Sequence, residues 1–97
     1  MKKLIAVLTL FCAAGATAEV DMDKYAKSCQ ICHQSGAANA PKTGDAEAWK
    51  PRLEKGMDAL VASVNTGLNA MPPKGMCFDC SNEDYKALIE FMAKPAQ

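Results

Sequence analysis

The chain has 97 residues and a formal net charge of zero, with 11 Lys and Arg residues against 11 Asp and Glu residues. This length is enough for one small domain, whose stability is marginal when side chains alone form the core. The balanced charge and the lack of a basic stripe exclude the usual nucleic-acid-binding classes, so no nucleic acid partner is expected.

The first 18 residues have the layout of a secretory signal peptide. A basic start precedes a short apolar run, and the segment ends in Ala16-Thr17-Ala18, which is typical of a signal peptidase site. We predict cleavage after Ala18, export to the periplasm and one domain over residues 19–97. An uncleaved membrane anchor is the alternative, but the apolar run is short for the ~30 Å hydrocarbon core of a bilayer. We therefore expect no stable membrane insertion.

The sequence predicts an all-α domain of three to four short helices, and no segment alternates in the manner of a β-strand. Each helix is indicated by apolar residues at helical spacing or by a residue that can cap its N-terminus. The predicted helices are bounded by Asp21 and His33, Asp45 and Pro51, Met57 and Gly67, and Ser81 and Pro95. Asp21 or Asp23 can cap the first of them. Ser81 followed by Asp84 resembles a capping box. Irregular segments, 34–44 and 68–80, separate these helices.

The decisive motif is Cys29-Gln30-Ile31-Cys32-His33, at the end of the first predicted helix. Two cysteines about one helical turn apart can both form thioether bonds to the vinyl groups of a haem, and the adjacent histidine can bind the iron. Tyr25, Cys29 and Cys32 have the spacing that places them on one face of a helix. A haem is also a large apolar group that can replace much of the core this short chain lacks. We predict one covalently bound haem c.

Paired cysteines have two other uses. A thioredoxin-like redox site needs a β-α-β scaffold, and the sequence predicts no strand. A zinc site could combine four cysteines, namely Cys29, Cys32, Cys77 and Cys80. Their spacing is long for a compact zinc site, and His33, the only histidine of the sequence, would then have no role. Haem attachment explains the whole motif and is the interpretation we favour.

The iron of such a haem needs a second axial ligand, and methionine is the next candidate because the sequence has no other histidine. Met57 and Met92 lie on amphipathic stripes and are interpreted as core residues. Met71 and Met76 lie in the second irregular segment. Pro72 and Pro73 follow Met71 directly and stiffen its backbone, which suits a ligand that must stay in place. We favour Met71 over Met76.

These motifs resemble those of the small bacterial class I cytochromes c, and specifically the cytochrome c5 family. The resemblance covers nearly all of residues 19–97. The attachment motif is common to all c-type cytochromes, whereas the run from Ala70 to Gly75 followed by Cys77-x-x-Cys80 is more specific. The matching segments are 29–33, 40–45, Trp49 with Arg52, 67–75 and 77–80.

The resemblance implies several roles. Met71 matches the axial methionine, and Pro41 matches the residue whose carbonyl accepts a hydrogen bond from the axial histidine, here His33. Trp49 and Arg52 match residues near the haem propionates, and the alternative is a core tryptophan and a solvated surface arginine.

Cys77 and Cys80 match a disulfide of this family. It would close a very small ring, so its entropic stabilisation is limited, and its expected role is a structural clip beside the methionine loop. A redox-active dithiol is the alternative, but nothing in the sequence marks either thiol as activated.

The resemblance further implies the class I cytochrome c fold and a soluble periplasmic electron carrier that is not an enzyme. Its expected redox partners are a respiratory reductase complex as donor and a terminal oxidase or reductase as acceptor. With both axial positions filled, the iron has no open position for peroxide or a gas, which a peroxidase or a sensor would need. A weak homodimer through the exposed haem edge stays an open alternative.

Overall fold

A computed structural model describes residues 19–95, and its helices follow the predicted order. Short turns of π and 3₁₀ helix lie between or next to the α-helices. The elements are α1 Met22–Lys24, a π turn Tyr25–Cys29, α2 Gln30–His33, a 3₁₀ turn Ala37–Asn39, α3 Ala46–Leu53, α4 Met57–Thr66, a 3₁₀ turn Pro73–Met76 and α5 Asn82–Ala93. Within residues 19–95 the only β pairing is an isolated bridge between Leu68 and Met71, so the predicted all-α class is confirmed.

The predicted signal peptide and its cleavage site after Ala18 lie outside the described residues and stay predictions. Among the helices of residues 19–95, none combines the length and the apolar character that crossing a membrane requires.

The first predicted helix forms as one run that contains a π turn. It begins at Asp21, whose carboxylate accepts hydrogen bonds from the backbone N–H groups of Asp23 and Lys24 at 3.1 and 3.2 Å. Inside the π turn, the N–H of Gln30 reaches back five residues to the carbonyl of Tyr25. This wider turn changes the spacing that a regular α-helix would give Tyr25 and the two cysteines of the attachment motif. Such turns frequently lie at functional sites.

Helix α3 extends past the proline that was expected to limit it. Asp45 caps the helix by accepting a hydrogen bond from the N–H of Ala48 at 3.2 Å. The helix continues through Pro51 to Leu53, and its last turn is closed by the N–H of Glu54 donating to the carbonyl of Lys50 at 3.2 Å. Proline removes one hydrogen bond from the helix, but the N–H of Glu54 still closes the last turn.

Helices α4 and α5 end as predicted. Helix α4 stops at Thr66, where Gly67 adopts a φ of 86°. Helix α5 begins with a capping box, in which the Ser81 hydroxyl accepts from the N–H of Asp84 and the Asp84 carboxylate accepts from the N–H of Ser81. It ends at Ala93, before Pro95.

The hydrophobic core lies along α5. Leu88 of this helix is 1% exposed. Tyr25 packs against α5, where its ring and that of Phe91 form an edge-to-face pair at a centroid distance of 5.1 Å and an interplanar angle of 78°. The apolar side chains of α4 pack on this core and are only partly buried, namely Met57, Leu60, Val61 and Val64. The buried cluster consists of Tyr25, Trp49, Leu88, Ile89, Met92 and Ala93.

A charged contact ties the first helical run to α5. The Lys24 ammonium donates to the Asp84 carboxylate and to the carbonyl of Asp79, both at 3.1 Å. The backbone N–H of Ser81, followed by the Lys24 ammonium, holds the pKa of Asp84 below its usual value.

Replacing Asp84 with Asn is expected to remove a pH-dependent part of the stability. Because the pKa of Asp84 is lower in the folded than in the unfolded chain, its carboxylate stabilises the fold at neutral pH, and this contribution is lost as the pH falls through the folded-state pKa. Urea unfolding should therefore show a small deficit of the D84N variant at pH 7 that shrinks below pH ~4. A stability difference between D84N and the wild type that is unchanged on acidification would show that it does not come from the Asp84 charge.

Candidate functional site

The site is organised around His33, the buried last residue of α2. Its Nδ1 lies 2.8 Å from the carbonyl oxygen of Pro41. A carbonyl can only accept a hydrogen bond, so this partner assigns the proton to Nδ1 and leaves Nε2 with a free lone pair. The arrangement fixes both the tautomer and the orientation of the ring, as is usual for histidines that bind metals. Pro41 thus makes the contact with His33 that the family resemblance implied.

Trp49 forms one wall of the histidine site. Its side chain is 4% exposed, and its ring stacks on that of His33 at a centroid distance of 5.5 Å and an interplanar angle of 28°. The indole Nε1 donates to the carbonyl of Lys42 at 2.9 Å. Trp49 is therefore a core residue that also contacts the candidate ligand.

The loop that carries Pro41 is held at several points that the sequence did not indicate. The N–H of Thr43 donates to the carbonyl of His33 at 2.7 Å, and the hydroxyl of Tyr25 donates to the Thr43 Oγ1 at 2.8 Å. The N–H of Gly44 donates to the carbonyl of Met92, at the end of α5, at 2.8 Å. These bonds connect residues far apart in the sequence, and together they fix the carbonyl that orients His33.

The two cysteines of the attachment motif carry free thiols and are half-buried. Burial raises the pKa of the Cys29 thiol, and a weak contact with the Ser28 hydroxyl at 3.8 Å opposes this only in part. Catalytic and redox-active cysteines instead have a lowered pKa next to positive charge or a helix N-terminus. The environment of Cys29 therefore disfavours a thiol redox function and is compatible with a cysteine consumed by thioether formation.

Met71 lies in a tight turn immediately after α4. Leu68 and Met71 exchange backbone hydrogen bonds, with N···O distances of 3.1 and 2.9 Å. A Cβ on Gly67 would lie 2.9 Å from the Met71 carbonyl oxygen, so this glycine also allows the close return of the chain. The sequence indicated Gly67 only as the end of α4. Met71 is half-buried, whereas Met76 is 54% exposed.

The remaining predicted site residues are Arg52, which precedes the Met71 turn in the sequence, and Cys77 and Cys80, which follow it. Cys77 and Cys80 are joined by a disulfide. Arg52 lies one turn from Trp49 on α3, and its guanidinium donates to the carbonyl of Ala48 at 2.7 Å. This contact lies within α3, and the role of Arg52 near the haem propionates stays a prediction.

The disulfide loop is anchored to the core by Tyr85. Its hydroxyl donates to the buried carbonyl of Cys77 at 2.8 Å. Burial raises the pKa of Tyr85, which keeps the hydroxyl protonated and able to donate.

Removing this hydroxyl in a Tyr85→Phe variant is expected to lower the free energy of unfolding by about 1–3 kcal/mol, because the Cys77 carbonyl would lose its buried donor. Denaturant unfolding measures the loss. Tyr25→Phe is the matched control and should cost less, since the Thr43 hydroxyl can rotate to another partner. Equal losses of unfolding free energy in the two variants would show that the Tyr85–Cys77 hydrogen bond contributes no more to stability than the Tyr25–Thr43 bond.

These residues fit a covalently bound haem. Two free thiols and an imidazole with a free Nε2 lie on one helical run, and a thioether is available in a constrained turn. The apolar surface next to Met71 is only partly covered by protein atoms, since no residue of the preceding helix α4 is fully buried and Leu68 is exposed. A flat apolar group would cover such surface favourably. The residues predicted to hold it are Cys29 and Cys32 for attachment and His33 with Met71 for the iron.

Comparison with known proteins gives a consistent result. Residues 18–92 match the profile of the family described as cytochrome C oxidase, cbb3-type, subunit III. The chain is 49% identical over 81 residues to cytochrome c5 of Azotobacter vinelandii, covering 81% of this chain and 98% of that protein. It is 43% identical over 83 residues to cytochrome c5 of Ectopseudomonas mendocina, covering 84% and 95%, respectively.

Solved structures agree with these sequence relatives. A mono-haem ferrocytochrome c from Shewanella putrefaciens superposes with a TM-score of 0.70 and is 56% identical, covering 80% of this chain and 96% of that chain. The structure of an electron transfer complex of nitrite reductase with cytochrome c matches with a TM-score of 0.68 at 41% identity, covering 77% and 95%.

The match extends over nearly the whole described domain, and it includes the cysteine–histidine motif on which the cofactor prediction was based. The predicted fold, the class I cytochrome c fold, and the predicted cofactor, one covalently bound haem c, are therefore confirmed. The chain belongs to the cytochrome c5 family of small electron-transfer haem proteins.

Proposed function

We propose that this protein is a soluble periplasmic one-electron carrier whose haem is attached through Cys29 and Cys32 and ligated by His33 and Met71. The observation that carries the proposal is the 2.8 Å contact between His33 Nδ1 and the Pro41 carbonyl, which leaves Nε2 as the donor atom. The haem supplies reversible one-electron oxidation and reduction of its iron, and a methionine ligand raises the reduction potential.

The residues of the chain contribute by keeping the ligands in place. Pro41 fixes the tautomer of His33, Trp49 stacks on its ring, and the Leu68–Met71 bridge restrains the methionine. Small changes of ligand position between oxidation states favour fast transfer, because little of the surroundings must reorganise. With His33 and Met71 both bound to the iron, no open position would remain for a substrate, which is why we infer a carrier and not an enzyme.

The proposed partners are redox proteins: a respiratory reductase complex as donor and a terminal oxidase or reductase as acceptor. Support comes from the cytochrome c that matches this chain at 41% identity and forms an electron transfer complex with nitrite reductase. The export signal predicted in residues 1–18 supports a periplasmic location.

Carbon monoxide binding tests this function against the peroxidase and sensor alternatives. A carrier with both axial positions filled by His33 and Met71 should bind carbon monoxide poorly when reduced at neutral pH, and it should exchange one electron per haem with ferricyanide. Ready binding of carbon monoxide by the reduced wild-type protein would contradict the carrier function and favour an open or easily opened site.

A further inference from the structure

The segment Lys74–Met76, which follows the Met71 turn, has an unusual backbone. Three consecutive residues have positive φ angles, namely 63° at Lys74, 54° at Gly75 and 65° at Met76. Only the central one is a glycine, and L-residues with side chains adopt this left-handed conformation uncommonly and at a cost. Clusters of such strained residues are maintained only where the surrounding structure imposes them.

Neighbouring contacts impose this conformation from both ends. The N–H of Gly75 donates to the carbonyl of Pro72, and the N–H of Cys77 donates to the carbonyl of Lys74, both at 2.9 Å. Directly after the segment, Cys77 is buried, disulfide-bonded and hydrogen-bonded through its carbonyl to Tyr85. The left-handed segment is therefore held between the proline pair and an anchored cysteine.

The central glycine contacts the side chain of Met71. A Cβ placed on Gly75 would lie 2.9 Å from the terminal methyl carbon of Met71, closer than Cβ atoms approach other atoms in proteins. The φ of Gly75 already favours glycine, but this contact is a second and independent reason for the absence of a side chain there. The contacted atom is the methyl carbon bonded to the Met71 sulfur, so the contact bears on the position of the thioether.

We infer that Gly75 is a positioning residue for the Met71 thioether: its bare Cα, held in place by the left-handed segment, forms a wall against the Met71 methyl group. The inference rests on the proposed ligation by Met71. An added methyl at this wall pushes the Met71 side chain away from its position. The left-handed residues Lys74 and Met76 flank Gly75 and hold it against the Met71 side chain.

The test compares Gly75→Ala with Gly56→Ala in the haem-loaded protein. Gly56 is the matched control because its φ is also positive, at 92°, while its added Cβ would meet nothing within 4 Å. Both variants should be destabilised by backbone strain. Only Gly75→Ala should weaken the far-red band of the oxidised form and lower the reduction potential. If Met71 ligation is weakened tenfold, the apparent affinity of the reduced protein for carbon monoxide rises about tenfold.

A far-red band, potential and carbon monoxide affinity that stay at wild-type values in Gly75→Ala would overturn the inference. If Gly75→Ala does not fold, the double variant Met71→Ala, Gly75→Ala decides the question. Folding of the double variant supports a clash with the Met71 side chain. Failure of the double variant, under conditions in which Gly56→Ala folds in the same Met71→Ala background, contradicts the clash, because positive φ strains both variants. The single variant Met71→Ala tests the ligand assignment separately from the role of Gly75. Persistence of the far-red band in Met71→Ala would refute the ligand assignment itself.

Discussion

Replacing Met71 with Ala is expected to abolish the far-red absorption band of the oxidised protein and to lower its reduction potential by on the order of 100 mV or more, within the ~0.8 V range that axial ligands span. The physical reason is the loss of the thioether, a soft donor that favours the reduced iron. The vacated position then admits water or carbon monoxide. Optical spectroscopy of the oxidised form and a redox titration measure both effects.

Met76→Ala is the matched control for this experiment. Both methionines lie in the segment between α4 and α5, but the Met76 side chain is 54% exposed and Met71 is half-buried in a hydrogen-bonded turn. Met76→Ala should leave the band and the potential nearly unchanged. If the band disappears in Met76→Ala and survives in Met71→Ala, the ligand assignment is wrong.

Truncating Trp49 to Ala is expected to lower the free energy of unfolding by about 3–5 kcal/mol, which is typical for a buried tryptophan. Trp49 belongs to the core cluster with Tyr25 and Met92, and its indole N–H satisfies the carbonyl of Lys42. Small domains have total stabilities of only about 5–15 kcal/mol, so the variant should be close to unfolding. Guanidinium unfolding of the haem-loaded protein provides the measurement.

Trp49→Phe separates packing from hydrogen bonding at this position. A phenylalanine can keep an aromatic face against the His33 ring but cannot donate to Lys42, so an intermediate loss of about 1–3 kcal/mol is expected. A loss below ~1 kcal/mol in Trp49→Ala would mean that the tryptophan is not a core residue, in contrast to its 4% exposure.

Local signals in the sequence were sufficient for most helix ends, the exception being α3, which continues past Pro51. The caps at Asp21 and Asp45, the capping box of Ser81 with Asp84 and the end of α4 at Gly67 all involve residues within a few positions of each other. Interactions of this range are determined by residue type and spacing, so they can be read without a structure. The attachment motif is local in the same sense.

The sequence did not predict three features of the backbone. The π turn changes the register of the attachment helix by one residue, and no spacing rule indicates it. The loop around Pro41 is fixed by bonds from Thr43 and Gly44 to residues ten or more positions away. The left-handed segment at Lys74–Met76 includes two residues with side chains, where the sequence gives no reason to expect positive φ. Of these features, the Pro41 loop is held by bonds between distant residues, which no local pattern can indicate.

Trp49 combines a role that the sequence indicated with one that only the structure shows. The sequence left open whether it lies near the haem or in the core, because residue type and family position were compatible with both. Its stacking on His33 and its burial in the cluster along α5 show that one side chain contributes to both the core and the candidate site. A substitution at Trp49 should therefore affect stability first and ligand geometry second.

The central claim, covalent attachment of one haem through Cys29 and Cys32, is tested most directly by intact-mass spectrometry of the denatured, exported protein. The account predicts a mass increased by one haem that survives acid denaturation, a c-type reduced α-band, and complete loss of covalent haem in the Cys29→Ala, Cys32→Ala double variant. A folded, colourless wild-type protein without added mass, or one that contains zinc bound by the cysteines, would contradict the account.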